Sequence, residues 1–239
     1  MADERPLGVA VTNWRQPLRP EGLVLQGTYA ALEPLDPERH AAVLFRAFEG
    51  ADEVWDYMPV GPFASAATFH RWMRDAVVGS DPMFLAITNR ETDAVEGFCS
   101  LLNILPASGS IEVGFIAYAP ALQRTRAATE AQFLLMRWAF ETGYRRYEWK
   151  CNALNRPSRR AAERLGFSFE GVFRQHMVVK GRNRDTAWFA AIDSEWPSLK
   201  EAFQAWLAPS NFDTAGRQRE RLGDLTALVR VSSDPALRR

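Results

Sequence analysis

The stretch Leu122-Gln-Arg-Thr-Arg-Ala-Ala-Thr-Glu-Ala131 stands where an alternating apolar pattern gives way to a helical one. A phosphate site needs a strand that ends, a turn of exposed N–H groups and a helix N-terminus. The free N–H groups and the positive end of the helix dipole then hold the anion, and small side chains let it approach the backbone. Ala127 and Ala128 are small, Thr129 adds a hydroxyl, and Arg124 and Arg126 add charge. A solvated helix start has the same composition, so the segment alone leaves both readings open.

Upstream, residues 1–20 are rich in Pro and Arg and show no period. Leu23–Leu35 reads as a strand with a turn at Gly27. Pro37 opens a helix over Glu38–Phe48, and Ser65 is an N-cap type for a second helix, Ala66–Val78. Three strand-like runs follow, Met83–Asn89, Val95–Asn103 and Ser110–Tyr118, separated by breaks that suit hairpins. Downstream, a helix runs to about Thr142 and stops at Gly143, a C′ glycine. Tyr147–Cys151 is a short strand. Pro157 suits the first turn of a further helix ending at Leu165-Gly166. Phe167–Val179 and Arg184–Ile192 flank the turn Lys180-Gly-Arg-Asn183 as a final hairpin. Leu199, Phe203 and Trp206 share one face of a helix over Glu195–Leu207, and Gln218–Val231 reads as a weak helix. The order defines one mixed α/β domain over 23–208, with an N-terminal arm (1–22) and a C-terminal tail (209–239).

Three segments in order carry a family resemblance. Gln123–Ala131 resembles the pyrophosphate loop of the GNAT acetyltransferase superfamily, Gln/Arg-x-x-Gly-x-Gly/Ala, with Gln123 first and Ala128 last; Arg126 replaces the middle glycine. Asn155-Arg-Pro-Ser-Arg-Arg-Ala-Ala-Glu-Arg-Leu-Gly-Phe167 is similar to its Asn-x-x-Ser…Leu-Gly-Phe segment, and Ile111-Glu-Val-Gly-Phe115 to its fourth strand. Within the superfamily the chain looks most like the RimJ/RimL-type branch. The resemblance implies a GNAT fold: a mixed, mostly antiparallel twisted sheet of about seven strands flanked by helices. It also implies acetyl-CoA as donor, an amine as acceptor and no metal.

The resemblance assigns roles residue by residue. The backbone N–H groups from Arg126 to Thr129 anchor the pyrophosphate, with the Thr129 hydroxyl assisting. Arg124 either pairs with a phosphate or is solvated, and the Arg126 guanidinium offers a substitute contact. Asn155 and Ser158 meet the pantetheine arm or the phosphates; Asn155 is also a good N-cap. Arg159 and Arg160 read as a solvated helix face. Glu112 is the candidate base, a mid-strand carboxylate where propensity is low; the competing reading is a solvent-facing Glu. Phe115 and Ile116 lie beside the thioester where the fourth strand splays from the fifth, with an Ile116 N–H as oxyanion donor. Many relatives place a Tyr after the second motif, but Phe167 and Phe169 stand here. That leaves Ser158, Tyr118 and Ser168 as weak proton donors. Cys151 reads as packing, since no His is near in sequence. Trp55 and Tyr57 either form an acceptor wall or anchor their loop, and Asp56 or Glu53 is placed to hold an ammonium.

Composition sets outer limits. The 239 residues carry 29 basic and 29 acidic side chains, for a formal net charge of +0, which argues against a nucleic-acid surface. Two cysteines outside any CxxC pattern fit a reducing cytoplasm, and three histidines lack metal-site spacing. The start MADERPLGVA lacks signal-peptide character, and no run is long enough to span a membrane. Besides an N-acetyltransferase, Arg126 and the missing Tyr permit a catalytically inactive acyl-CoA-binding regulatory module. An RNA-associated protein is disfavoured by neutral charge and the absence of a stacking motif. The arm and the tail are candidate homodimer contacts.

Overall fold

The computed structural model describes residues 7–237. The first six residues of the arm, which hold much of the segment read for a signal peptide, and the last two of the tail lie outside the described residues. Eight strands form one sheet: β1 (Leu25–Gln26), β2 (Ala30–Pro34), β3 (Met83–Asn89), β4 (Ala94–Leu105), β5 (Ser110–Tyr118), β6 (Arg146–Asn152), β7 (Ser168–Val179) and β8 (Arg182–Ile192). Their order is β1-β2-β3-β4-β5-β6-β8-β7, antiparallel throughout except for the parallel pair β5–β6. The sheet is therefore mixed and mostly antiparallel, as expected. The extra strand arises because Leu23–Leu35 divides: Gly27 N–H closes a turn onto the Ala30 carbonyl at 2.9 Å.

Helices α1 (Pro37–Ala47), α2 (Ala66–Ala76), α3 (Arg126–Glu141), α4 (Arg156–Arg164), α5 (Trp196–Leu207) and α6 (Leu222–Ala227) flank the sheet. Alternation sorts the strand side chains between two cores. Leu85, Ile87, Leu101, Ile111, Val113 and Trp149 face one side with Leu135 and Met136 of α3 and Phe203 of α5. Phe84, Ala86, Phe98 and Ala117 face the other, with Leu44 of α1, Met73 of α2 and Trp55 from the loop between those helices. Ser65 caps α2 as expected, accepting from Thr68 N–H in a reciprocal capping box.

After α5 the chain does not leave the domain. The weak helix expected over Gln218–Val231 shortens to α6, because the following backbone is held extended: Val231 N–H donates to Ser168 Oγ at 3.0 Å. Arg159 was expected on a solvated face. It is instead buried, with its guanidinium on both carboxylate oxygens of the fully buried Asp234 at 2.5 and 2.6 Å.

Candidate active site

The β5–β6 ladder runs from Ser110–Arg146 to Val113–Trp149 and stops. Beyond it, β5 stays with β4 through Tyr118, while β6 stays with β8 through Asn152. The strands diverge where the family resemblance implies a splay, leaving the Gly114–Tyr118 edge without a strand partner on the β6 side. The β4–β5 register also slips between Phe98 and Ser100, and Phe115 there takes a left-handed φ of 47°. That conformation is uncommon for a bulky residue and clusters at functional sites. The Phe115 ring packs edge-on to Phe84 at 5.2 Å, and the Ile116 side chain packs against the core on the other face.

At the mouth of the cleft the loop before α3 is shaped by its own side chains. Gln123 Nε2 donates to the Tyr118 carbonyl at 3.0 Å, tying the loop to the end of β5. Arg124 is exposed, with φ at 63°. Thr125 is the N-cap, its hydroxyl accepting from Ala128 N–H at 3.0 Å. The Arg126 and Ala127 N–H groups have no partner among the described residues. The free donors expected over Arg126–Thr129 thus narrow to the first two, since Thr129 N–H reaches the Thr125 carbonyl at 3.4 Å. Thr129 is itself buried; its hydroxyl faces the Thr125 carbonyl and accepts from Arg164 at 3.2 Å. The Arg126 guanidinium turns back over the Tyr29 and Phe212 rings and pairs with Glu91. Its charge is thereby engaged by Glu91.

Across the cleft, Asn155 caps α4 by accepting from Ser158 N–H at 3.0 Å, and Ser158 Oγ accepts the Trp149 indole N–H at 3.0 Å. Ser158 is therefore tied to the last residue of the paired β6 segment. Cys151 is buried, and burial pushes its thiol up to about 11, which leaves it protonated at neutral pH. That removes it as a ready nucleophile. Tyr118 is likewise held far above the ordinary phenol range by burial, and Ser168 is engaged by Val231.

Glu112 lies on the face that α1 and α2 leave uncovered, only 5% exposed. The solvent-facing alternative is thereby excluded. Its Oε2 accepts from Asn103 Nδ2 at 2.6 Å and pairs with Lys150 Nζ at 2.8 Å. Lys150 also pairs with Glu148 at 2.7 Å and sits 4.0 Å over the Trp188 ring. Burial raises the Glu112 carboxyl above its usual range, opposed by the hydrogen bond and charge of Lys150 and then by Asn103. Sequence reading missed Lys150 and Asn103. The available signal was alternation: Glu148 and Lys150 share a face two residues apart, and Glu148 pairs in register with Glu112.

On the acceptor side, Trp55 is 3% exposed, its indole packed among Phe48, Phe63 and Phe69, so it anchors the loop rather than walling the cleft. Asp56 and Tyr57 are exposed, and Tyr57 hydroxyl reaches the Leu154 carbonyl at 3.4 Å. Lys180, in the β7–β8 turn, donates to the Trp55 carbonyl at 2.8 Å. The hairpin tip and this loop thus meet. Next to them an open hollow of about 800 Å³ is bounded by Phe173, Arg174, Gln175, His176, Asn183 and Asp185. Among the described residues no group of three or more His, Cys, Asp or Glu side chains is placed to hold a metal ion, and no helix is long and apolar enough to cross a membrane.

A mixed sheet with diverging parallel strands, followed by a helix start with free N–H groups, defines an α/β class of protein with an anion-accepting helix start beside the strand divergence. The chain belongs to the GNAT acetyltransferase family, whose acetyltransferase (GNAT) domain model matches residues 31–168. A crystal structure of a GCN5-related N-acetyltransferase from Brucella melitensis is 50% identical with a TM-score of 0.88, covering 91% of this chain and 100% of that one. A probable GNAT-family acetyltransferase from Chromobacterium violaceum is 43% identical with a TM-score of 0.76, covering 81% of this chain and 98% of that one. An uncharacterized N-acetyltransferase, p20, from Bacillus licheniformis is 26% identical over 147 residues, 60% of this chain and 83% of the relative.

Proposed function

We propose that the protein acetylates an amine by direct attack in a ternary complex, with Glu112 accepting the amine proton. The observation that carries this reading is the β5–β6 divergence, flanked by the free N–H groups of Arg126 and Ala127 and by the buried carboxylate of Glu112. Acetyl-CoA, when bound, supplies an acetyl group already activated as a thioester.

The residues present fit that donor. Two unpartnered N–H groups at the start of a 16-residue helix suit a pyrophosphate. Exposed Arg124 adds positive charge there, and Gln123, Thr125 and Ala128 shape the loop. Asn155 and Ser158 border the pantetheine path from α4. The bulge at Phe115 and Ile116 offers backbone N–H to the thioester oxygen, where a preorganised donor lowers the barrier as charge develops. Glu112 holds the proton released by the ammonium, directly or through one water. Asp56 attracts the ammonium and Tyr57 lines its approach. The likeness to the RimJ/RimL-type branch supports a peptide N-terminus as one acceptor, beside small amines.

Calorimetric titration with acetyl-CoA, followed by an amine screen on wild type and Glu112→Gln, tests the reading. The expected result is equal binding by both proteins and a loss of turnover on the order of 10²–10⁴-fold in the variant. Binding without turnover on any amine would instead leave an acyl-CoA-binding module. Absence of binding would overturn the donor assignment itself.

A further inference from the structure

Two buried donors on the face that carries Glu112 have no partner among the described residues. Register places them: Glu112 pairs with Glu148, Lys150 with Trp188 and Asn152 with Thr186, so Glu112, Lys150, Trp188 and Arg184 lie on one face of the sheet. Arg184 Nε and Trp188 Nε1 are both buried without a hydrogen-bond partner. The Arg184 side chain makes no hydrogen bond or ion pair with any described residue, although it is half-buried. The neighbouring carboxylate does not serve it: Asp185 Oδ1 accepts from Gln175 N–H at 2.7 Å and from Asn183 Nδ2 at 3.0 Å. Glu112 and Glu148 are held by Lys150.

A half-buried guanidinium whose buried Nε has no acceptor among the described residues is uncommon, because desolvating that donor is not offset by a hydrogen bond. Burial holds Arg184 below the ordinary guanidinium range, and the charge of Glu112 is near enough to oppose that. A carboxylate delivered by a ligand would satisfy the fork in the bidentate geometry that guanidinium favours. The same positive charge disfavours polycationic acceptors.

We propose that Arg184 receives a carboxylate carried by the acceptor, which makes the acceptor a carboxylate-bearing amine, in the form of a free amino acid or an acidic peptide N-terminus. The proposal rests on the acetyltransfer reading for the direction of the chemistry, but the binding it claims is separable from turnover.

The test uses matched pairs that differ in the carboxylate alone: phenylalanine with 2-phenylethylamine, serine with ethanolamine, and a Ser-Asp-led peptide with its Ser-Asn-led counterpart. Each is titrated calorimetrically into wild type and Arg184→Met, then assayed with acetyl-CoA. The carboxylate member of at least one pair is expected to bind and react at least ten-fold better in wild type, with the preference lost in Arg184→Met and partly kept in Arg184→Lys. Acetyl-CoA affinity, unchanged in both variants, reports that they fold. Preference in the first two pairs identifies a free amino acid, and in the third a peptide. Equal or better binding of the partners that lack the carboxylate in every pair would overturn the proposal. So would an Arg184→Met protein that keeps its acceptor preference while losing acetyl-CoA affinity, since the guanidinium would then serve the donor. Carboxylate-dependent binding without any acetyl transfer would uphold the anion site and sink the acetyltransfer reading.

Discussion

At Glu112 two opposing forces meet. Burial favours the neutral acid, while the Lys150 ammonium and the Asn103 amide favour the carboxylate. A base works deprotonated, so activity falls as pH drops through its pKa. Lys150→Met removes the strongest opposing influence. The acidic limb of the kcat/KM profile should therefore move to higher pH, and Asn103→Ala should move it the same way by less. A limb unmoved in both variants would remove Glu112 from the proton path. A second buried carboxylate has a structural task. Glu130, the glutamate following Thr129 in the loop motif, accepts the N–H groups of Thr28, Tyr29 and Ala30, clamping the β1–β2 turn to α3. Glu130→Ala would strand these donors at roughly 1–3 kcal/mol for each one left buried. Chemical denaturation should show a large loss for Ala and a smaller one for Gln, which keeps an acceptor. Neither partnership was legible in the sequence, since Lys150 and Thr28 lie 38 and 102 residues from the carboxylates they meet. What the sequence did expose was the oddity of one position, a mid-strand Glu in Ile111-Glu-Val-Gly-Phe115; Glu130 gave no such signal, because a carboxylate near the start of a helix is ordinary.

Elements were legible wherever their signals are local. β3 and β5 end at Met83–Asn89 and Ser110–Tyr118, the limits that alternation and turn residues define. Ser65 and Asn155 both cap the helices they precede. The strand divergence is different: it depends on β5 and β6 following different partners, and pairing is non-local. Leu165-Gly166-Phe167 shows how a motif encodes a junction between elements. Gly166 ends α4 with φ at 92°, and a Cβ there would stand 2.4 Å from Leu199 of α5. Gly166→Ala should cost about 1–2 kcal/mol for the left-handed backbone alone, with displacement of the buried Leu199 adding to it. A thermal midpoint unchanged by this substitution would contradict the account. The contact between the β7–β8 turn and the loop after α1 is a weaker junction. Lys180→Met should leave stability within about 1 kcal/mol, because one partly exposed hydrogen bond is lost. It should raise KM for the acceptor amine, with acetyl-CoA affinity unchanged.

For the molecule as a whole, the C-terminal residues decide how firmly the candidate donor site is held. After Pro209 the sequence turns polar and carries no strong period, a composition that by itself suggests a tail. In the fold, Asp234 is fully buried and grips Arg159 through both oxygens, while its own N–H donates to Glu163 at 2.6 Å. Arg159 also donates to the Ala153 carbonyl at 2.6 Å, in the turn that leads to Asn155. The pair therefore ties the chain end to the start of α4, and thus to the cap that borders the cleft. Removing one partner of a buried pair strands a charge and costs about 3–5 kcal/mol. Asp234→Ala should lose that much in urea unfolding and should also weaken acetyl-CoA binding, since Arg159 would be free to pull away from Ala153. Replacing both partners by apolar residues of similar size should recover much of the stability. It should not recover the affinity, because no guanidinium would then hold the α4 turn. A double variant that regains both would show that the pair stabilises the fold without positioning the cleft.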